Sequence, residues 1–244
     1  MHFLIRLIRS LAFYVGFYGG SIVLVFAAFV SIAISRSALQ RSVQAWSNWH
    51  RWCVNVLLGI EVKVEGNLST EPALYAVKHE SMFEAIDAPT LFHLPSVFAK
   101  RELFFIPGWG RSAIQYGLIP VERDQGAKTL RLMLKHAKAR VAENRPLILF
   151  PEGTRVEVGQ SPPLRSGFAG LYKLIGLPVI PIAVDSGRLY QRLVKKPGTI
   201  TYYVGEAIPP GLPRDEAERR VHAAMNALNT GALNTGNPSA QIEP

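Results

Sequence analysis

The pattern of apolar and polar positions divides the chain near residue 60. Before it, residues 11–35 carry no charged side chain. As a helix, that run is long enough to cross a hydrocarbon core of about 30 Å. Gly16, Gly19 and Gly20, with Ser21, offer a point at which it breaks into two shorter helices. Arg6 and Arg9 precede the run, and Arg36 and Arg41 follow it, so the flanking cations set no orientation. Balanced flanks also suit a helix that enters and stays within one leaflet. A cleaved signal peptide fits poorly: the run is too long and no cleavage site follows it. Residues 38–58 carry Trp46, Trp49 and Trp52 beside Arg41 and Arg51. That mixture suits the headgroup layer, and equally a core helix with its tryptophans turned inward.

After residue 60 the period changes. Residues 60–66 alternate and read as a strand; 73–77 form a short apolar run, hence a buried strand. Further strands are expected at 96–100, 118–121, 146–150, 178–184 and 199–204. Helical spacing marks 84–92, 128–143, 168–175 and 213–228, the last with Asp215 and Glu216 in its first turn, where the helix dipole favours them. Strands alternating with helices predict an α/β fold: a mixed, mainly parallel sheet flanked by helices, behind an N-terminal apolar, membrane-associating helical segment. The expected organisation is membrane-associating helices over 1–58, an α/β domain over 59–228 and a disordered tail over 229–244, rich in Asn, Thr, Gly, Pro and Ser.

Composition sharpens this in three ways. The 244 residues suffice to bury one sizeable core. The formal net charge of +9 implies an anionic partner, whether nucleic acid, lipid headgroup or phosphorylated substrate. No nucleic-acid-binding motif accompanies the charge, so that partner class is not expected. Cys53 is the single cysteine, which excludes an intrachain disulfide, and it reads as a buried apolar residue.

His79 follows directly on the buried strand 73–77, and ligands of open α/β folds bind beyond the carboxyl ends of strands. Ser81 and Glu84 have the spacing of a capping box, with Glu84 bonding a backbone N–H. A second reading has Glu84 holding an imidazole nitrogen of His79. On one continuous helix the two would lie about 140° apart. A helix that starts at Ser81 leaves His79 in the preceding loop, free to fold back. The carboxylate would then fix the tautomer and stabilise the imidazolium of a general base. Asp87, one turn beyond, is an alternative partner. Two rival chemistries are weaker. No nucleophile elbow surrounds Ser81, and Phe83 stands where a zinc-binding H-E-x-x-H motif needs its second histidine. No metal site is expected. At other strand ends stand Lys100-Arg101, followed by the turn Pro107-Gly108-Trp109-Gly110; Glu122-Arg123; and Pro151-Glu152-Gly153-Thr154-Arg155. Gly153 permits close backbone approach, and Arg155 can hold a phosphate in bidentate fashion.

In these segments the chain resembles the glycerolipid acyltransferases, most closely the bacterial enzymes that acylate 1-acylglycerol-3-phosphate. The segment 79–84 looks like their histidine–four residues–aspartate motif. The segment 100–103, with Pro107, Gly110 and Arg123, looks like the second block. The segment 150–155 matches the third block unchanged, and 179–184 looks like the fourth. One departure stands out: Glu84 replaces the usual aspartate, which keeps the charge and adds a methylene. The resemblance implies that His79, held by Glu84, deprotonates the free hydroxyl of lysophosphatidic acid, and that the alkoxide attacks the thioester of acyl-carrier protein or acyl-CoA. The product is phosphatidic acid, for phospholipid synthesis. It implies that Arg123, Glu152, Gly153, Thr154, Arg155 and Lys100 bind the acceptor phosphate. It further implies no cofactor beyond the acyl donor as co-substrate, and a catalytic domain on the cytoplasmic side of a bacterial inner membrane. Alternatives are a related acyltransferase for another lyso-lipid, such as an ornithine lyso-lipid or a lysophospholipid, or a non-catalytic membrane-binding protein.

Overall fold

The computed structural model describes residues 2–229 apart from 123–125. Helix α1 (His2–Ile34) runs without interruption. Gly20, one of the glycines that offered a break, instead admits α2 (Arg36–Cys53). A Cβ on Gly20 would lie 2.2 Å from Nε1 of Trp49. Trp49 donates that N–H to the carbonyl of Gly16 at 3.2 Å, and Trp46 donates to Ser21 at 2.9 Å. Trp46 and Trp49 therefore turn inward, while Trp52 stays exposed and stacks on Trp49. Ser35 caps α2, its hydroxyl accepting the N–H of Ala38 at 3.1 Å. The hydroxyls of Ser10 and Ser31 donate to carbonyls one turn back in α1, each at 2.7 Å, so neither leaves an unpaired donor.

Strand β1 (Ile60–Glu65) follows a short π-helical turn, Val54–Leu58. After it come β2 (Leu74–Val77), α3 (Phe83–Leu91), β3 (Ser96–Lys100), a 3₁₀ turn (Arg101–Phe105), α4 (Trp109–Tyr116) and β4 (Ile119–Val121). The chain continues through α5 (Gly126–Ala142), β5 (Leu147–Leu149), α6 (Ser166–Ile175), β6 (Val179–Val184), the short α7 (Gly187–Tyr190), β7 (Gly198–Val204) and α8 (Arg214–Met225). Among the described residues the seven strands form one sheet in the order β1-β7-β6-β2-β5-β3-β4. Every neighbouring pair is parallel except β6 with β7.

Alternation along the strands sends side chains to two cores. Tyr75, Val77, Ile148 and Ile182 face one side, with Phe13 and Phe17 of α1 and Phe83 and Ile86 of α3. Leu74, Ala76, Leu147 and Leu149 face the other, with Met133 and Ala137 of α5, Phe168 of α6 and Val221 of α8. The N-terminal helices thus supply part of the core of the α/β fold. The rest of α1 is bare: only 17% of its most apolar window is buried, and Phe3, Val15, Ile22, Phe26 and Ile34 are each more than half exposed.

Two differences from the sequence reading concern the segment after β3. It contains helix α4, and the stretch Pro107–Gly110 is a helix start rather than an open turn. Gly108 takes φ +75°, and a Cβ on Gly110 would strike the carbonyl oxygen of Phe104 at 1.9 Å. The expected disordered tail, from 230 onward, lies outside the described residues. Asn229, its first expected residue, donates its side-chain amide to the carbonyl of Gln160 at 3.3 Å.

Candidate active site

Strands β2, β3, β4, β5 and β6 run parallel, so their carboxyl ends share one edge of the sheet. His79 lies just beyond β2 in the middle of that edge. Its ring packs against Phe150, which follows β5, at 4.1 Å between centroids. Nδ1 of His79 stands 3.2 Å from Oε2 of Glu84. Among the described residues Nε2 has no protein partner, and the side chain is 17% exposed, enough for an acceptor to reach it.

Both readings of Glu84 hold at once. Its Oε2 also accepts the backbone N–H of Ser81 at 3.2 Å, the bond expected of a capping carboxylate. Helix α3 starts at Phe83, one residue before the stretch that helical spacing marks, and Ser81 precedes its cap residue, Met82, instead of capping or starting the helix. Ser81 Oγ accepts the N–H of Phe83 at 3.1 Å. Oε1 of Glu84 accepts from a second partner, the hydroxyl of Ser186 beyond β6. Ser81 and Ser186 are themselves 2.7 Å apart, oxygen to oxygen. Glu84 and both serines are buried. Asp87, the alternative partner, serves elsewhere. It forms an ion pair with Arg51 of α2 and accepts from Tyr202 at 3.2 Å.

The segment 150–155 folds around the same histidine. Gly153 donates its N–H to the carbonyl of Phe150 at 2.9 Å, closing a turn with Pro151 at its second position. Gly153 takes φ +72°, a conformation that suits glycine. The N–H of Val156 donates to the carbonyl of His79 at 2.7 Å, which pins the loop beside it. Thr154 and Arg155 are exposed at the rim.

Glu152 requires a correction. It was expected to contact the acceptor phosphate, yet it is buried and both its oxygens are engaged. Oε2 accepts the N–H of His79 at 3.1 Å, and Oε1 accepts from Nζ of Lys78 at 2.6 Å. Its work is to hold the main chain of the histidine. Lys78 is itself buried, and also donates to the carbonyl of Gln160 at 2.7 Å and to Asn226, which caps the end of α8, at 2.8 Å. The sequence reading missed Lys78 and Ser186. A lysine directly after a fully buried strand was one signal. The other was a serine just past the end of a strand parallel to β2.

Lys100 ends β3, two strand positions along the same edge, roughly 10 Å away by strand spacing. It is exposed and pairs with Glu102 at 3.2 Å. Arg123 lies outside the described residues. Next to Glu84, the buried carboxyl of Glu80 is pushed up to about 7, by burial first, although the N–H of Gly187 bonds it at 2.9 Å. Among the described residues no group of three or more His, Cys, Asp or Glu side chains is placed to hold a metal ion.

A base at a strand edge, oriented by a buried carboxylate and with the loop that carries Arg155 pinned beside it, defines a site for moving a proton from a substrate hydroxyl. Residues 59–185, just over half of the chain, match the family described as Acyltransferase, and the chain belongs to that family. Among similar proteins, the 1-acyl-sn-glycerol-3-phosphate acyltransferase of Pseudomonas aeruginosa is 32% identical over 170 residues, covering 68% of this chain and 66% of that protein. The enzyme of the same description from Helicobacter pylori is 32% identical over 110 residues, 44% of this chain and 46% of that protein. The chain thus spans two thirds or less of the length of these relatives. The crystal structure of the 1-acyl-sn-glycerophosphate (LPA) acyltransferase from Thermotoga maritima shares the fold. It has a TM-score of 0.72 at 20% identity and covers 96% of this chain and 98% of that one.

Proposed function

We propose that the protein transfers an acyl group from a carrier-protein or CoA thioester to the free hydroxyl of 1-acylglycerol-3-phosphate, giving phosphatidic acid. The observation that carries this reading is the 3.2 Å contact of His79 Nδ1 with a buried Glu84, which leaves Nε2 for the acceptor. Nε2 takes the hydroxyl proton as the alkoxide oxygen attacks the thioester carbonyl. Glu84 stabilises the imidazolium. The carbon–sulfur bond then breaks, and the imidazolium returns the proton to the leaving thiolate. No covalent enzyme intermediate is formed, and the reaction runs without metal or cofactor. Arg155, Thr154, Gly153 and Lys100, with Arg123, provide the acceptor phosphate site. Glu152 serves behind the histidine.

The bare flank of α1 supports placement at a membrane, where the acceptor's acyl chain already resides. In this reading the site faces the cytoplasm at a bacterial inner membrane. The test is an assay of the purified protein with labelled acyl donors against a panel of lyso-lipids. Transfer to 1-acylglycerol-3-phosphate is expected, and it should vanish in His79→Ala while the circular dichroism spectrum is kept. Near wild-type transfer by His79→Ala would overturn the mechanism, and acylation of phosphate-free acceptors alone would overturn the acceptor.

A further inference from the structure

Helix α5 carries Lys128, Arg131, Lys135 and Lys138, all exposed. At about 100° per residue they fall within an arc of roughly 80°, and at 1.5 Å per residue they span about 15 Å. Leu132 flanks the row and is 44% exposed. Among the described residues none of the four forms an ion pair; the cation that does, Arg140, bonds Glu143 beyond the helix. Helix α8 shows what an ordinary solvated charged helix looks like here. Its Arg214, Arg219 and Arg220 pair within the helix with Glu218 and Glu216. Helix α5 has no acidic residue at all. The local field is felt nearby: the pKa of His136 is lowered, by burial first and then by Arg140 and Lys135.

Placement gives the row meaning. Met133 and Ala137 seat α5 on the face of the sheet opposite α1, so the sheet stands between this helix and the apolar flank of α1. The start of α5 lies at the carboxyl edge of the sheet, the edge that holds His79. There a depression of about 340 Å³, lined by Arg101, Glu122, Lys128 and Leu132 among others, continues the row towards the site. From β4 back to β2 is three strand spacings, roughly 14 Å.

We propose that the exposed face of α5 is the docking surface for an acidic carrier protein that delivers the acyl thioester. This rests on the acyl-transfer reading above. A row about 15 Å long suits the acidic face of a helix; the phosphates of one nucleotide are far more compact. Leu132 gives the charged contact an apolar margin. Docked there, the partner holds its thioester at the edge where His79 works, while α1 remains free for lipid.

The test compares the full-length wild type with Lys135→Glu/Lys138→Glu, two residues outside the catalytic machinery. Arg219→Glu/Arg220→Glu on α8 is the control. Binding of unloaded bacterial acyl carrier protein is measured by calorimetry at low ionic strength, and transfer kinetics are measured with acyl-carrier-protein and acyl-CoA donors. The α5 variant should weaken carrier binding by about tenfold or more, with the difference shrinking as salt is added. It should raise KM for the carrier donor by a similar factor, with KM for acyl-CoA and kcat unchanged. Equal carrier affinity in wild type and variant overturns the proposal. So does a wild type that binds no carrier, or a variant that loses only its adsorption to anionic vesicles. If no donor supports transfer, the acyl-transfer reading falls, while the calorimetric comparison still decides the docking surface.

Discussion

The main-chain N–H of His79 is held by the side chain of Glu152, 73 positions away, at 3.1 Å. The other oxygen of that carboxylate is held by the neighbouring residue, Lys78, at 2.6 Å. The strand end that presents the base is thus clamped to the loop beyond β5, and through Asn226 to α8.

Lys78→Met should leave a buried carboxylate without its cation, and destabilise the fold by about 3–5 kcal/mol in chemical denaturation. The double variant Lys78→Met/Glu152→Gln should recover a large part of that loss. The glutamine carbonyl still accepts the N–H of His79, and no charge is left unpaired. A double variant as unstable as the single would show that the lysine acts through packing and not through the ion pair.

Glu84 has three kinds of partner: an imidazole, a backbone N–H and two hydroxyls. Glu84→Gln should lower kcat by about a hundredfold or more, because the amide cannot stabilise the imidazolium. Ser186→Ala is subtler. It removes the closest partner of Oε1, so the carboxylate is held less firmly against the ring of His79. The variant should lose about tenfold or less in kcat, with its stability to denaturant little changed. An unchanged kcat would reduce Ser186 to a packing role.

The α2 residue His50 is buried with its Nε2 on the hydroxyl of Tyr190 at 2.9 Å, and its Nδ1 has no partner among the described residues. Burial, with help from Arg51 and Lys195, lowers it to about 3 from the usual 6.5. The folded protein keeps the ring neutral, whereas the unfolded chain takes up a proton near 6.5. Stability contributed above that pH is therefore lost as pH falls from about 6.5 towards 3. Denaturation midpoints measured across this window should fall more steeply for the wild type than for His50→Gln. Parallel slopes would show that the acid sensitivity lies elsewhere. Glu80 shifts in the opposite sense and flattens both curves alike between 4.5 and about 7.

Much of this was legible in the sequence, and the exceptions share a physical cause. Strands such as β2 and β6 announced themselves because full burial leaves unbroken apolar runs. The pairing of His79 with Glu84 was readable because five positions and a loop keep it local. The role of Glu152 was not, since its partner N–H is 73 positions away and an acidic residue in a cationic segment suggests substrate. Gly20 misled for a related reason. Sequence shows a missing side chain, while the ring of Trp49 that fills the space comes from another helix. Helix α4 was hidden because Pro107, Gly108 and Gly110 carry turn-forming signals, although Gly110 admits the carbonyl of Phe104 and Gly108 caps the helix.

The pairing of β1 with β7 sets the order in which the molecule can be completed. Ile60 lies opposite Gly198, and Phe13 packs against Tyr190 at 5.8 Å. The first strand and the inner stripe of α1 therefore leave the ribosome long before their partners exist. Contacts so distant along the chain form late and slowly. Through that interval Phe13 lacks the ring of Tyr190 that will cover it. The remaining chain then assembles against a helix made well before it, and the last strand to be made seals the first.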